Sequence, residues 1–174
     1  MLSRNYAEVA MTDTEDAYRF EFTSIDGDSL PFEAWRGRPV LVVNTASFCG
    51  YTPQYSDLQE LWQSYRRRGL VVLGVPSNDF GAQEPGSAAE IKQFCAAGYA
   101  VDFPLTEKSR VIGAEAHPFY RWIAAEVGEA GTPRWNFHKY LIGHDGYIAE
   151  VFAETVEPTD TRVKTAISRA LMDA

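Results

Sequence analysis

The 174-residue chain has few of the residues on which several common classes of protein depend. It contains two cysteines, Cys49 and Cys95, which are too few for a disulfide framework or a cysteine-rich zinc site. Its 16 lysines and arginines are outnumbered by 24 aspartates and glutamates, which gives a formal net charge of −8. Because this acidic balance disfavours contact with phosphate backbones, we expect no nucleic-acid partner.

The sequence also has no long apolar run, and its first residues do not resemble a secretory signal. The longest apolar stretches have only the length of a β-strand, so we predict no integral membrane contact. The first 16 residues carry scattered charges and no apolar stretch, and we therefore expect a cytoplasmic protein without a secretory signal. The sequence shows no linker and no repeat. We predict one domain over residues 17–174, preceded by a flexible N-terminal extension over residues 1–16.

Hydrophobic residues make up 45% of the chain, and their order predicts alternating strands and helices. Residues 18–23 alternate apolar and polar side chains, which predicts a half-buried strand. The continuous apolar runs at 40–43 and 70–75 predict two buried parallel strands. An amphipathic stripe between Pro53 and Gly69 predicts the helix that joins them. Strand, helix and strand in this order predict a right-handed βαβ unit.

The second half of the chain predicts three more helices and a terminal hairpin. Ser87 and Glu90 form a capping box at the start of one helix, and another helix begins near Pro118. Asp145-Gly146 separates two apolar segments, which is a strong hairpin signal. The predicted fold is therefore α/β and thioredoxin-like, with a central mixed β-sheet flanked by helices on both faces.

Cys49 follows the first buried strand and precedes a helix, where α/β folds commonly place functional groups. The free N–H groups and the positive dipole end of a helix start favour a thiolate over a thiol. This position alone favours a reactive cysteine. The alternative is that Cys49 is a small buried apolar residue, as free cysteines commonly are.

Three short segments resemble the active-site motifs of the glutathione peroxidase family. They are CGYT at residues 49–52, FGAQEPG at residues 80–86 and WNF at residues 135–137. The segments stand in the family's order, and the resemblance extends from about residue 18 to residue 171 without a large gap.

The resemblance implies a thiol peroxidase that reduces hydrogen peroxide and organic or lipid hydroperoxides to water or alcohols. Cys49 aligns with the peroxidatic residue of the family, and its polar partners align with Gln83, Trp135 and Asn136. Amide and indole N–H groups can stabilise a thiolate and also the negative charge that develops on peroxide oxygens. These four side chains are the candidate catalytic residues, and the implied chemistry uses no metal or other cofactor.

Cys95 has two interpretations. It lies on an apolar helical stripe, which predicts a core residue. The segment from Phe94 to Tyr99, however, resembles the one that carries the resolving cysteine in thioredoxin-dependent members of the family. The resemblance then implies that Cys95 attacks the sulfenic acid of Cys49 and that thioredoxin reduces the resulting disulfide. Because a disulfide needs close Cα atoms, we predict that the helix carrying Cys95 unwinds or shifts during turnover.

Two alternatives remain beside this two-cysteine cycle. One is a one-cysteine enzyme that uses glutathione, whose carboxylates call for a cation such as Lys139 or Arg134 near Cys49. The other is a peroxide sensor or redox relay that passes its disulfide to a partner protein. A metal site is disfavoured, because the cysteine and histidine spacings match no zinc pattern. The short segment at 127–134 resembles compact, monomeric members of the family, which favours thioredoxin over glutathione.

Overall fold

A computed structural model of the protein describes residues 15–174. Residues 1–14, most of the predicted N-terminal extension, lie outside the described residues. The strands are β1 (Glu21–Thr23), β2 (Ser29–Pro31), β3 (Val40–Thr45), β4 (Val71–Pro76), β5 (Lys139–Ile142) and β6 (Ile148–Phe152). The α-helices are α1 (Gln54–Tyr65), α2 (Ala88–Tyr99), α3 (Pro118–Val127) and α4 (Thr161–Met172). Within residues 15–174, none of the helices has the length and apolar character needed to cross a bilayer.

Four of the strands form one mixed sheet in the order β4-β3-β5-β6. β3 pairs in parallel with β4 and antiparallel with β5, and β5 pairs antiparallel with β6. The connection from β3 to β4 runs through α1, so the predicted βαβ unit is confirmed. The predicted hairpin is confirmed as β5 and β6, which are joined through Gly146 at φ +85°. β1 and β2 form a separate two-stranded sheet.

The side chains of β3 alternate between two hydrophobic cores, one on each face of the sheet. Val40 and Val42 belong to the core that includes the buried residues of α3. Leu41 and Val43 belong to the core that includes buried residues of α1, α2 and α4. Helices therefore cover both faces of the mixed sheet, as predicted, and the fold is α/β.

The N-terminal strand is shorter than its pattern predicts. Only Glu21–Thr23 forms a strand, and residues 17–19 form a 3-10 turn. The side chain of Asp16 accepts a hydrogen bond from the N–H of Tyr18 at 3.0 Å and so caps this turn. A short alternation of apolar and polar residues can therefore occur in a capped turn as well as in a strand.

Helix α2, which carries Cys95, is capped at both ends but has few fully buried side chains. The hydroxyl of Ser87 accepts a hydrogen bond from the N–H of Glu90 at 3.3 Å, which confirms the predicted cap. At the other end Ala100 adopts a left-handed conformation with φ +53°. Of the 12 residues in this helix, only Ile91 and Cys95 are buried. Few buried side chains resist a movement of this helix.

Candidate active site

Cys49 lies partly exposed in the turn between β3 and α1, and Thr52 fixes the shape of this turn. The hydroxyl of Thr52 accepts a hydrogen bond from the N–H of Cys49 at 3.0 Å and donates one to the carbonyl of Ala46 at 2.9 Å. The N–H of Tyr51 points at the Cys49 sulfur, with the nitrogen 3.4 Å from Sγ. One backbone N–H therefore already faces the sulfur.

The loop that carries Gln83 is bonded to the Cys49 turn. The N–H of Phe48 donates to the carbonyl of Gln83 at 3.1 Å. Gly81 and Ala82 both have positive φ, at +66° and +51°, so the loop reverses sharply just before Gln83. These contacts place Gln83 beside the residue that precedes Cys49.

Asn136 is the buried partner of Gln83. Its side chain is fully buried, and its Nδ2 donates to the Oε1 of Gln83 at 2.9 Å. This bond uses the carbonyl oxygen of the Gln83 amide, so the NH₂ end of the Gln83 side chain remains the donating end. The structure thus brings together two of the predicted polar side chains that lie far apart in the sequence.

Trp135 packs over the same loop from the other side. Its ring centroid lies 5.9 Å from that of Phe80, and a Cβ atom added to Gly81 would lie 3.1 Å from the indole. The carbonyl of Trp135 accepts a hydrogen bond from the Nδ2 of Asn44 at 3.0 Å. Since Asn44 lies near the end of β3, the strand that leads to Cys49 also holds the WNF segment. All three predicted motifs therefore meet at one end of the sheet.

Lys139 does not lie where a cation for glutathione would be needed. Its side chain is fully buried at the start of β5, and its Nζ donates to the carbonyl of Phe137 at 2.8 Å. Burial lowers the pKa of Lys139 to about 7. Arg134, the other cation considered, is exposed beside Trp135. The expectation that Lys139 could flank the site and bind a glutathione carboxylate is wrong, because its side chain is buried and its Nζ is bonded to the carbonyl of Phe137, the last residue of WNF.

Cys95 is buried on the inner face of α2, and both cysteines are free thiols. Cys49 packs against the same hydrophobic core that contains Cys95. Burial raises the pKa of Cys95 to about 11, and the adjacent Tyr55 hydroxyl opposes part of that rise. In this conformation Cys95 is a neutral core thiol, which leaves the predicted resolving role dependent on a movement.

The sequence profile described as "Glutathione peroxidase" matches residues 17–124 of the chain. The chain belongs to the glutathione peroxidase family. The matched range includes Cys49, Gln83 and Cys95, and the WNF segment follows it. The protein is a peroxidase, and it reduces hydroperoxides.

Similar proteins agree with this assignment. A protein of Synechocystis sp. named hydroperoxy fatty acid reductase Gpx2 is 48% identical over 149 residues, which cover 86% of this chain and 95% of that protein. A glutathione peroxidase-like peroxiredoxin of Schizosaccharomyces pombe is 44% identical over 135 residues, covering 76% of this chain and 85% of that protein. A crystal structure of a thiol:disulfide interchange protein, a thioredoxin family protein from Chlorobium tepidum, has a TM-score of 0.63 at 17% identity. That likeness covers 90% of this chain and 95% of that one, and it confirms the thioredoxin-like fold of the peroxidase.

Two residues that shape the site have no role in the sequence-based interpretation. Thr52 belongs to the CGYT motif, yet its hold on the Cys49 turn is a contact that the motif alone does not reveal. Asn44 links β3 to the WNF segment through its side chain and backbone. The sequence did contain a signal for Asn44. A polar residue at the end of an otherwise apolar buried strand is expected to form hydrogen bonds, because an unpaired buried polar group is costly.

Replacing Asn136 with alanine tests the bond between Asn136 and Gln83. The change removes the donor that fixes the Gln83 amide, and we expect oxidation of Cys49 by hydrogen peroxide to slow by about 10²-fold or more. Stopped-flow oxidation of the reduced peroxidase measures this rate. Asn78→Ala is the control, because the Asn78 side chain accepts a bond from Glu84 in the same loop without contacting Gln83. Equal slowing in both variants would attribute the effect to loop distortion and contradict the prediction.

Proposed function

We propose that the protein is a two-cysteine thiol peroxidase recycled by thioredoxin. The observation that carries the proposal is the joining of the Cys49 turn, the Gln83 loop and the WNF segment by hydrogen bonds at one end of the sheet. The proposed catalytic residues are Cys49, Gln83, Trp135 and Asn136, with Cys95 as the resolving cysteine. The cycle uses no metal or prosthetic group. A monomeric state and a cytoplasmic location stay predictions.

The first step is the reduction of the hydroperoxide. The Cys49 thiolate attacks the terminal peroxide oxygen, so that an S–O bond forms and the O–O bond breaks. The leaving hydroxide or alkoxide takes up a proton and departs as water or alcohol. N–H donors from Gln83 and Trp135 would stabilise the charge that develops on the leaving oxygen. Asn136 would keep the Gln83 amide in the orientation that donates.

The second step is the formation of a disulfide. Cys95 attacks the sulfenic sulfur of Cys49, the S–S bond forms and the oxygen leaves as water. The small buried face of α2 supports this step, since Ile91 and Cys95 are its only fully buried residues, with Phe94 and Tyr99 packed partly buried beside them. Thioredoxin then reduces the disulfide by thiol–disulfide exchange.

Two features favour thioredoxin over glutathione as the reductant. Lys139 is buried and bonded to a backbone carbonyl. Of the two cations considered for glutathione, Arg134 alone is exposed. The Schizosaccharomyces pombe relative is named a peroxiredoxin.

Phe48 is 65% exposed immediately before Cys49, so an apolar surface lies next to the reactive sulfur. Such a surface also suits hydroperoxides of fatty acids, in line with the name of the Synechocystis relative.

One observation favours the one-cysteine alternative. Cys95 is 1% exposed and burial raises its pKa to about 11, as expected for a thiol that only fills the core. In that case glutathione would reduce the Cys49 sulfenic acid directly. A sensor or relay would use the same disulfide as the two-cysteine enzyme and pass it to a different partner protein.

A non-reducing peptide map after treatment with one equivalent of hydrogen peroxide separates these functions. We expect a Cys49–Cys95 disulfide in the oxidised protein, and its rapid reduction by thioredoxin. Sulfenic or sulfinic acid at Cys49 with a free Cys95 thiol would favour the one-cysteine enzyme. If neither thiol reacted, the proposed catalytic role of Cys49 would be wrong. A stable mixed disulfide with a protein other than thioredoxin would favour the relay.

A further inference from the structure

A cavity of about 130 Å³ lies between the Cys49 turn and the first half of α2. Its lining includes Phe48 and Phe94, the residues that precede Cys49 and Cys95 in the sequence. The cavity therefore lies where the two segments that carry the cysteines face each other. Any approach of one sulfur to the other changes this space.

Two buried polar side chains line this cavity, the hydroxyl of Ser47 and the carboxyl group of Glu84. Glu84 is 1% exposed, and its Oε2 has no hydrogen-bond partner among residues 15–174. The backbone of Glu84 is fixed on both sides. Its N–H donates to the Oδ1 of Asn78 at 2.9 Å, and its carbonyl accepts from the Nζ of Lys108 at 3.2 Å. A buried carboxyl oxygen without a partner destabilises a fold, which points to a use elsewhere in the catalytic cycle.

The surroundings of Glu84 suit a group that exchanges a proton. Burial raises the pKa of the Glu84 carboxyl, while the nearby Ser47 and the ammonium of Lys108 oppose part of the rise. The charge of Glu84 in turn contributes to the raised pKa of Cys95, so the two groups interact through the core. The Tyr55 hydroxyl lies next to Cys95, and the charge of Glu84 also contributes to the raised pKa of Tyr55.

Glu90 completes the set of titratable groups around the cavity. It lines the same cavity from the first turn of α2, but unlike Glu84 its side chain is exposed. Of the two carboxyl groups at the cavity, only that of Glu84 is therefore shielded from water.

A base is needed if the Cys95 thiol is activated before it leaves the core, because Cys95 is a neutral thiol in the reduced structure. With its pKa raised to about 11, the thiol has only a very small thiolate fraction near neutral pH, and the thiol itself is a poor nucleophile. The buried carboxylate of Glu84 lies beside the cavity that separates the two segments carrying the cysteines. A general base in this place can accept the proton as the sulfurs approach.

We propose that Glu84 carries the proton of the resolving step; this inference rests on the two-cysteine cycle proposed above. The Glu84 carboxylate accepts the proton of the Cys95 thiol, and the Cys95 thiolate attacks the sulfur of the Cys49 sulfenic acid. The S–S bond forms and the S–O bond breaks. The departing hydroxide takes the proton back from the Glu84 carboxyl and leaves as water, so Glu84 ends the step as a carboxylate.

Single-turnover oxidation of Glu84→Gln tests this role. After mixing with hydrogen peroxide, samples are alkylated at short times, and sulfenic acid and disulfide are counted by mass spectrometry. We expect sulfenic acid at Cys49 to accumulate in the variant and disulfide formation to slow by about 10²-fold, which is typical of a lost general base. Glu90→Gln is the matched control, since it removes an exposed carboxylate from the same cavity and should form the disulfide at the wild-type rate.

The pH profile separates a proton carrier from a residue that only supports the fold. The wild-type rate of disulfide formation should level off once Glu84 is ionised. Without the carboxylate, the rate should rise about tenfold per pH unit, because it then follows the thiolate fraction of Cys95. Glu84→Asp keeps a carboxylate and should recover the wild-type shape of the profile even if its absolute rate is lower.

Three outcomes would overturn the role of Glu84. The first is a Glu84→Gln variant with the wild-type rate and pH profile of disulfide formation. The second is equal slowing in Glu90→Gln, which would assign the effect to the charge of the cavity. The third is a Glu84→Asp variant that keeps the profile of Glu84→Gln. Failure of the two-cysteine cycle itself would look different, because wild-type protein would then form no Cys49–Cys95 disulfide.

Discussion

The variant Cys49→Ser is expected to lose hydroperoxide reduction, with turnover falling by at least about 10⁴-fold. A serine hydroxyl is not ionised near neutral pH, and its oxygen cannot form a sulfenic acid. The N–H of Tyr51, whose nitrogen lies 3.4 Å from Sγ, would then face a hydroxyl oxygen that is not a peroxidatic nucleophile. Steady-state turnover with thioredoxin, and separately with glutathione, measures the loss.

Loss of activity in Cys49→Ser has to be distinguished from loss of the fold. The two hydrogen bonds of Thr52 that hold the turn use the backbone N–H of Cys49 and the carbonyl of Ala46, and a serine oxygen can still accept the bond from the N–H of Tyr51. The midpoint of thermal unfolding should therefore stay close to that of the wild-type protein. Thr52→Val supplies the opposite case, since it keeps the thiol and removes the support of the turn; it should retain part of the activity. Turnover in a folded Cys49→Ser variant would contradict the assignment of Cys49 as nucleophile.

Local signals were sufficient to predict most of the fold. The continuous apolar runs predict β3 and β4, because a strand that is buried on both faces has apolar residues at successive positions. Asp145-Gly146 predicts the hairpin because its turn requires positive φ, and Gly146 has φ +85°. Residues 18–20 are the exception, since the cap from Asp16 that turns this segment is a side-chain contact that the alternation of apolar residues does not register.

The sequence motifs name candidate site residues but carry no information on the contacts between them. The motifs name Gln83, Trp135 and Asn136, yet the bond from Asn136 to Gln83 joins residues that are distant in sequence. Spacing alone carries no information on such a contact. The burial of Lys139 is a similar case, because a lysine at the start of a strand is ordinarily exposed. Only the three-dimensional structure shows that its Nζ is bonded to the carbonyl of Phe137 at the end of WNF.

The change Cys95→Ala is expected to stop thioredoxin-driven turnover after the first peroxide is reduced, lowering the steady-state rate by about 10²-fold or more. Cys49 would still be oxidised, since its turn does not depend on α2 for its hydrogen bonds. Without a resolving thiol, the sulfenic acid would persist and proceed to sulfinic acid when peroxide is in excess. Trapping of sulfenic acid with a dione reagent, followed by mass spectrometry, measures this accumulation beside the steady-state rate.

The control for Cys95→Ala must weaken the core of α2 without touching a thiol. Ile91→Val serves, because Ile91 is the other buried residue of that helix and the change costs about 1 kcal/mol of unfolding free energy, similar to the loss of one buried sulfur. Ile91→Val should lower the unfolding midpoint and keep thioredoxin-driven turnover. If Cys95→Ala kept full turnover with thioredoxin, Cys95 would be a core residue, and the one-cysteine cycle would describe the enzyme. A restored rate with glutathione in the same variant would instead show that the Cys49 sulfenic acid is open to a small thiol once Cys95 no longer competes for it.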